Sequence, residues 1–202
     1  MAATWRATAK AERRERYLSA AAQLFAVRGF HAVSVEELSA AAGVTGPAFY
    51  RHFASKEAVL AELLVDASER LLAGATATVE AADDPLPTLA DLVAFHVDFA
   101  LSEPDVIRVQ DRELPSLAAE QSRRVRSLQR RYSVLWTDVL RRVQPATPAG
   151  EWAVRLPAVF GLLNATPHLP AGSDGPEARA LLARMALDAL LGAGARSAVP
   201  SR

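Results

Sequence analysis

The chain has 202 residues, half of them apolar and under a quarter charged, which is ordinary for a globular protein of one large or two small domains. It has no cysteine, so disulfides and thiolate metal sites are excluded and a reducing cytoplasm is the expected setting. No apolar run reaches roughly 18 residues and no secretory signal precedes the first helix, so neither membrane insertion nor export is expected. The net charge is zero, but residues 1–56 carry eight basic and four acidic side chains, which gives that part a net charge of +4. This distribution, more than the total, bears on nucleic-acid binding.

The first helix is expected from about Ala11 to Arg28, and Gly29 ends it. Its inner stripe has the spacing of one helix face and consists of Tyr17, Leu18, Ala21, Leu24 and Phe25. Residues 1–9 are small and polar apart from Trp5 and have no periodicity. They are therefore expected to form a disordered arm.

A helix-turn-helix is expected next. Ser34 followed three residues later by Glu37 is a capping box, which predicts a helix beginning at about Val35. Gly43 ends this helix because glycine adopts the left-handed conformation without strain. A second short helix is expected over 46–53, and a three- or four-residue turn between two helices is the helix-turn-helix layout.

The second short helix carries Tyr50, Arg51 and His52 in succession. A helix in a DNA groove can use such side chains on phosphate oxygens. Spacing alone also allows a capped helical hairpin with a solvated face. Both interpretations stay open on the residues themselves.

A set of residues at fixed spacing, from about Arg14 to Leu64, resembles the amino-terminal domain of the TetR family of bacterial transcriptional regulators. The set is Phe25, Gly29, Phe30, Ser34, Val35, Leu38, Ala41 to Val44, Phe49 to Phe53 and Ser55 to Glu57. The resemblance implies a palindromic double-stranded DNA operator contacted through Ser34, Thr45, Gly46, Pro47, Ala48, Tyr50, Arg51, His52 and Lys56. Pro47 and Ala48 depart from the usual glycine and hydroxyl residue, so they bear on which operator is read.

Ser55 caps a long fourth helix, expected to continue to about Ala81. The prolines over 83–87 break it, and Thr88 with Asp91 predicts the start of a fifth helix that ends at about Leu101. A short sixth helix is expected over 105–113. The expected fold class is all-α with about nine helices, divided into a DNA-binding domain over 1–54 and a ligand-binding and dimerisation domain over 55–202.

Three further helices are expected over 115–143, 149–168 and 177–191, and Pro157 is expected to kink the second of them. The last helix is apolar nearly all round. A helix without a polar face must be covered on both sides, so a second copy of the chain is the expected cover. A homodimer through helices 8 and 9 follows.

Several polar or aromatic side chains are candidates for a ligand pocket among helices 4 to 8. They are Phe95, His96, Phe99, Trp136, Phe160 and Asn164. His96 is equally consistent with a hydrogen-bonded core histidine, and Trp136 with plain core. Arg123 and Arg130 share one face of helix 7, which indicates either a solvated helix face or a patch that binds phosphate.

The segment over 106–115 and the run from Trp136 to Leu140 are similar to the carboxyl-terminal domain of TetR-type regulators of lipid and sterol catabolism that sense acyl-CoA esters. The resemblances together imply a homodimeric repressor released by a small hydrophobic or acyl-CoA ligand. Alternatives are a repressor of an efflux or detoxification gene that responds to a lipophilic drug-like molecule, and a helical interaction protein without DNA binding. Enzymatic activity, a cofactor and a metal ion are not expected, because neither a nucleophile with its base nor a glycine-rich phosphate loop is present.

Overall fold

The computed structural model describes residues 2–44 and 46–192, with side chains from residue 12 onward except those of Gly46 and Pro47. This part of the chain is all-α and has no strand. Its α-helices are α1 (Ala2–Arg28), α2 (Val35–Ala41), α3 (Gly46–Phe49), α4 (Lys56–Glu80), α5 (Pro85–Ser102), α6 (Pro104–Glu113), α7 (Ala119–Val143), α8 (Ala149–Leu163) and α9 (Pro176–Leu191). No helix in these ranges is both long enough and apolar enough to cross a bilayer.

The first helix begins much earlier than the sequence pattern predicts. Its backbone is helical from Ala2, so the expectation of a disordered arm over residues 1–9 is wrong for residues 2–9. Four of the first nine residues are alanine, which has the highest intrinsic helix propensity. The prediction relied on the apolar stripe and did not weigh this propensity.

The helix-turn-helix is present, but its second helix is shorter than predicted. The Ser34 hydroxyl accepts from Glu37 N–H at 3.2 Å and the Glu37 carboxylate accepts from Ser34 N–H at 2.8 Å, which confirms the capping box. Helix α3 ends at Phe49, and the amides of Arg51 and His52 form the tighter bonds of a turn, to the carbonyls of Ala48 at 3.3 Å and Phe49 at 2.8 Å. The expected continuation to Phe53 is therefore wrong.

The fifth helix begins at Pro85 and not at Thr88. Asp84 is its N-cap, and the Asp84 carboxylate accepts from Leu86 N–H at 3.1 Å. Pro85 is tolerated at the first helical position, where its missing N–H would have no partner. Thr88 lies one turn inside the helix, and its hydroxyl donates to the carbonyl of Asp84 at 2.6 Å.

The seventh and eighth helices are each shortened at the end where a 3₁₀ turn forms. Leu114–Ser116 is one such turn, and α7 begins only at Ala119. The other is Thr166–His168, which follows α8 because Pro167 has no amide to continue the helical ladder. The Thr166 hydroxyl donates to the carbonyl of Ala100 at 2.7 Å, so this turn is attached to α5.

Packing divides the chain into two compact units. Of the described residues, those up to 67 and those over 105–126 form the first, and those over 68–104 and 127–192 form the second. Fully buried side chains form a core in each unit, for example Phe25 and Leu38 in the first and Leu92 and Leu163 in the second. Helix α6 thus belongs to the same unit as α1 to α3, although α3 ends at Phe49 and α6 begins only at Pro104. The boundary expected between residues 54 and 55 stays a prediction.

The approach of α4 to α5 in the second unit depends on a glycine. A Cβ at Gly74 would lie 2.2 Å from Cζ of Phe95, so any side chain there would displace the ring. Gly161 in α8 has no atom within 4 Å of the corresponding position. Comparing an alanine substitution at each of the two glycines therefore distinguishes the effect of a steric clash from the effect of helix propensity.

Gly74→Ala is expected to lower the free energy of unfolding by a net of roughly 1 kcal/mol, because overpacking outweighs the gain in helix propensity. Gly161→Ala is expected to raise it by up to about 1 kcal/mol. Urea unfolding of both variants measures the difference. Phe95→Leu should rescue Gly74→Ala, and a Gly74→Ala variant as stable as Gly161→Ala would contradict the packing described.

Candidate nucleic-acid interface and ligand cleft

An aromatic cluster supports the short helix α3. The Tyr17 ring of α1 meets the rings of Phe49 and Phe53 edge to face, with centroids 5.5 Å and 5.6 Å apart. All three side chains are buried. This confirms the prediction that Phe49 and Phe53 point inward and hold α3 against α1.

The residues between those two phenylalanines differ in exposure. Tyr50 is 63% exposed and Arg51 is exposed, so both side chains are accessible to a partner. His52 is half-buried, with its ring 5.7 Å from that of Tyr17. All three lie in the turn after α3 and not on the helix, which corrects their predicted position.

The remaining predicted DNA contacts lie around the same turn. Ser34 is exposed and caps α2, and Ala48 is half-buried within α3. Gly46 and Pro47 are the first two residues of α3. Thr45 lies outside the described residues. The contacts themselves stay predictions.

Lys56 has protein partners that the sequence does not reveal. Its Nζ donates to the carbonyls of Phe30 at 2.9 Å and Val33 at 2.8 Å, and lies 4.5 Å from the centre of the Phe30 ring. An ammonium group has three donors, so two of the three are used within the protein. The predicted phosphate contact remains possible only through the third donor.

Two adjacent residues at the end of α6 complete the attachment of the loop after α1. The Glu113 carboxylate accepts from Phe30 N–H at 3.1 Å and from Arg112 Nε at 2.7 Å. Arg112 Nη2 donates to the carbonyls of Phe25 and, at 3.3 Å, Ala26. Burial raises the pKa of Glu113, but the hydrogen bonds from Phe30 and Arg112 outweigh burial and hold the pKa below its ordinary value.

In the second unit, His96 is the centre of a buried polar network. Its Nε2 lies 3.1 Å from Asn164 Oδ1, and its Nδ1 lies 2.9 Å from the Tyr132 hydroxyl. Because an amide oxygen only accepts, Nε2 carries the proton and Nδ1 accepts from Tyr132. The Phe160 ring stacks on the imidazole, with centroids 5.3 Å apart and planes 16° apart. Asn164 therefore accepts a hydrogen bond from His96.

The protonation of this network follows from its burial. Burial lowers the pKa of His96 to about 4, and the hydrogen bond to Asn164 opposes the shift only in part. Burial likewise raises the pKa of Tyr132. Both groups are therefore neutral near pH 7, as the core-histidine interpretation expects.

A cleft of about 690 Å³ lies between α4 and α7 in the second unit. Its apolar lining is Leu72, Val79, Val134, Leu135 and Val139, and its polar lining is Thr76, Ser127, Arg130, Arg131, Asp138 and Arg142. The lining thus contains three arginines and one carboxylate. The cleft therefore combines apolar side chains with guanidinium groups, which are the groups that match phosphate oxygens.

The cleft contains one of the eight residues predicted to bind the ligand, namely Arg130. Phe95 packs against Gly74, and the Phe99 ring lies 5.4 Å from the Arg70 guanidinium. Trp136 and Phe160 belong to the His96 cluster, with ring centroids 5.3 Å apart. Arg123 is exposed on α7 and does not line the cleft. A ligand role for these residues stays a prediction.

Helix α9 has apolar side chains on two faces. Leu182, Ala186 and Leu190 are buried, and α9 packs against α5 and α8. Leu181 and Met185 are 49% and 44% exposed, and Val154 of α8 is 70% exposed. The exposed set is the apolar surface that a second subunit is expected to cover.

These features, an all-helical chain with a capped helix-turn-helix and a second helical unit with an amphipathic cleft, are typical of helix-turn-helix regulatory proteins. Residues 18–63 match the family described as "Bacterial regulatory proteins, tetR family". Residues 82–193 match the family described as "Tetracyclin repressor-like, C-terminal domain". The chain therefore belongs to the TetR family.

Individual relatives agree with this assignment. The transcriptional repressor KstR2 of Rhodococcus jostii is 30% identical over 132 residues, which are 65% of this chain and 65% of KstR2. The chain spans 31% of the length of the first curated relative that it matches and 65% of the length of the second, which is KstR2.

Solved structures share the fold over most of their length. PfmR, a TetR family regulator of Thermus thermophilus, has a TM-score of 0.76 at 28% identity. The match covers 88% of this chain and 98% of PfmR. AibR, solved in complex with isovaleryl coenzyme A and operator DNA, has a TM-score of 0.73 at 17% identity, with 87% of this chain and 96% of AibR covered. At the identity of AibR, the likeness concerns the fold alone.

Proposed function

We propose that the chain is a homodimeric transcriptional repressor that binds a palindromic operator and is released by a small amphipathic ligand. The observation that carries this proposal is the exposed pair Tyr50 and Arg51, held on a buried aromatic base next to a capped α2. Hydroxyl and guanidinium groups of this kind contact phosphate oxygens. A mobility-shift assay with the DNA upstream of the chain's own gene tests the proposal directly.

Arg51→Ala is expected to weaken binding to all DNA sequences about equally. It should also make the slope of log affinity against log salt shallower by about one, because one fewer counterion is released. Fluorescence anisotropy over a salt series measures the slope. Arg141→Ala, which removes an exposed arginine of α7, is the matched control and should leave the slope unchanged. An unchanged slope for Arg51→Ala would refute the phosphate contact.

The ligand in this proposal is an acyl-CoA ester bound in the cleft between α4 and α7. The apolar lining residues accommodate the acyl chain, and Arg130, Arg131 and Arg142 offer guanidinium groups to the CoA phosphates. AibR, which shares the fold at 17% identity, was solved with a ligand of this class, isovaleryl coenzyme A. Release by about 100-fold requires the ligand to prefer the released state by about 2.7 kcal/mol.

Replacing both Arg130 and Arg131 by Ala is expected to weaken acyl-CoA binding about tenfold or more, because charge-assisted bonds to phosphate are lost. Binding of the free fatty acid should change much less. Arg123→Ala, on the same helix but outside the cleft, is the matched control. Calorimetry that finds both ligands equally weakened, or no acyl-CoA binding by the wild type, would leave a lipophilic drug-like inducer as the better proposal.

A further inference from the structure

Both polar atoms of the Phe30 backbone are bonded to charged side chains distant in sequence. Its N–H donates to Glu113, its carbonyl accepts from Lys56, and its ring packs edge to face on Phe25 at 5.3 Å. Phe30 lies in the loop that leaves α1 and enters α2. The direction of that loop is therefore fixed by side chains from α4 and α6.

The two members of the Arg112–Glu113 pair differ in burial, since the Arg112 side chain is partly exposed and that of Glu113 is buried. Glu113 is buried, and a buried carboxylate is costly unless it is fully hydrogen-bonded. It accepts from Phe30 N–H and Arg112, and Ser116 lies 3.3 Å away as a further donor. A charged group retained in a core at this cost is a sign that it sets a geometry.

Arg112 acts on the end of α1 itself. The last carbonyls of a helix lack partners within the helix and carry the negative end of its dipole. Arg112 donates to two of these carbonyls, Phe25 and Ala26. Gly29, with φ of 86°, also donates its N–H to Phe25 at 2.9 Å and turns the chain toward Phe30. The exit from α1 is thus defined by one glycine and one ion pair.

We propose that Arg112 and Glu113 are positioning residues for DNA reading. They set the angle at which the α1–α2 loop presents α2 and α3, so the DNA-reading unit is discontinuous in sequence and requires the end of α6. This inference rests on the proposed operator binding. It concerns neither the ligand nor the dimer surface.

Arg112→Ala and Glu113→Ala are each expected to weaken operator binding about tenfold while changing binding to unrelated DNA by less than about threefold. A mispositioned recognition element loses base contacts, whereas the general phosphate attraction persists. The salt slope for unrelated DNA should stay unchanged, which distinguishes Arg112 from a direct phosphate contact. In the absence of DNA, amide exchange at Phe30 should be at least about tenfold faster in Glu113→Ala.

Two controls separate positioning from general stability. Val109→Ala shortens a buried apolar side chain of the same helix and leaves the hydrogen-bonding groups of Arg112 and Glu113 in place, so it should lower the melting temperature and spare operator affinity. Glu113→Gln keeps an acceptor for Phe30 N–H and should recover part of the operator affinity. Equal losses in Val109→Ala and Glu113→Ala, or wild-type operator affinity in both Arg112→Ala and Glu113→Ala, would overturn the inference. A wild-type chain that binds no DNA would instead remove the proposed function and this role with it.

Discussion

Replacing Leu181 and Met185 of α9 by Glu is expected to give a folded monomer that binds operator at least about 100-fold more weakly than the wild type. Both side chains are about half exposed in the single chain, as is Val154 of α8 to a greater extent, and exposed apolar side chains of this kind are typical of a subunit interface. A dimer that reads two half-sites must hold its recognition elements about 34 Å apart. A monomer loses the second half-site and its contribution to affinity.

The choice of residues follows from their burial. Leu182 is only 8% exposed, so a charge there would unfold the second unit whether or not the dimer exists. Glutamates at Ala73 and Ala77, exposed on α4, add the same charge away from this surface and serve as the control. Sedimentation velocity gives the assembly state and anisotropy gives the affinity. A dimer of wild-type operator affinity after the α9 change would exclude this interface.

The amino-terminal unit could be predicted from the sequence where its determinants are local. The capping box of Ser34 and Glu37 requires only three residues of separation, and it forms as expected. Gly43 has φ of 69°, in agreement with its role after α2. Phe49 and Phe53 are four residues apart and share one buried side. Local spacing therefore fixes these features before any tertiary contact is known.

The contacts that the sequence did not reveal all join distant segments. Glu113 and Phe30 are 83 residues apart, and no periodicity connects an acidic residue at the end of α6 with a loop after α1. Lys56 was interpreted through its place after the helix-turn-helix, but its partners are carbonyls over 20 residues earlier. Backbone acceptors have no sequence signature. Such bonds become visible only in three dimensions.

The position of the cleft between α4 and α7 could not be predicted from the sequence pattern either. The aromatic side chains near His96 pack on one another and on the imidazole, and their ligand role stays a prediction. The cleft lies between α4 and α7, and Val134, one of its lining residues, is exposed. Helical spacing predicts which residues face inward, but whether inward side chains fill or line a space depends on how helices pack.

The buried His96 network should make stability depend on pH between about 7.5 and 5. The pKa of His96 is lowered in the folded chain from 6.5 to about 4, so the unfolded chain binds the proton first. Its contribution is therefore fully present above pH 6.5 and is lost as pH falls toward 4. Between pH 7.5 and pH 5 this one group is expected to lower the free energy of unfolding by roughly 2 kcal/mol. Tyr132, whose pKa is raised, stays protonated throughout and adds nothing to this dependence.

His96→Gln tests this directly, since an amide at this position can still donate to Asn164 but does not titrate. The variant is expected to be less stable than the wild type at pH 7.5, because the stacked imidazole is lost. Its loss of unfolding free energy on going to pH 5 should nevertheless be smaller than that of the wild type by roughly 2 kcal/mol. Urea unfolding at a single protein concentration measures both quantities, since dimerisation would otherwise shift them. His168→Gln, at an exposed position, is the control and should keep the full wild-type dependence. If the wild type and His96→Gln lose the same free energy of unfolding between the two pH values, His96 is not the group that resists protonation in the folded chain.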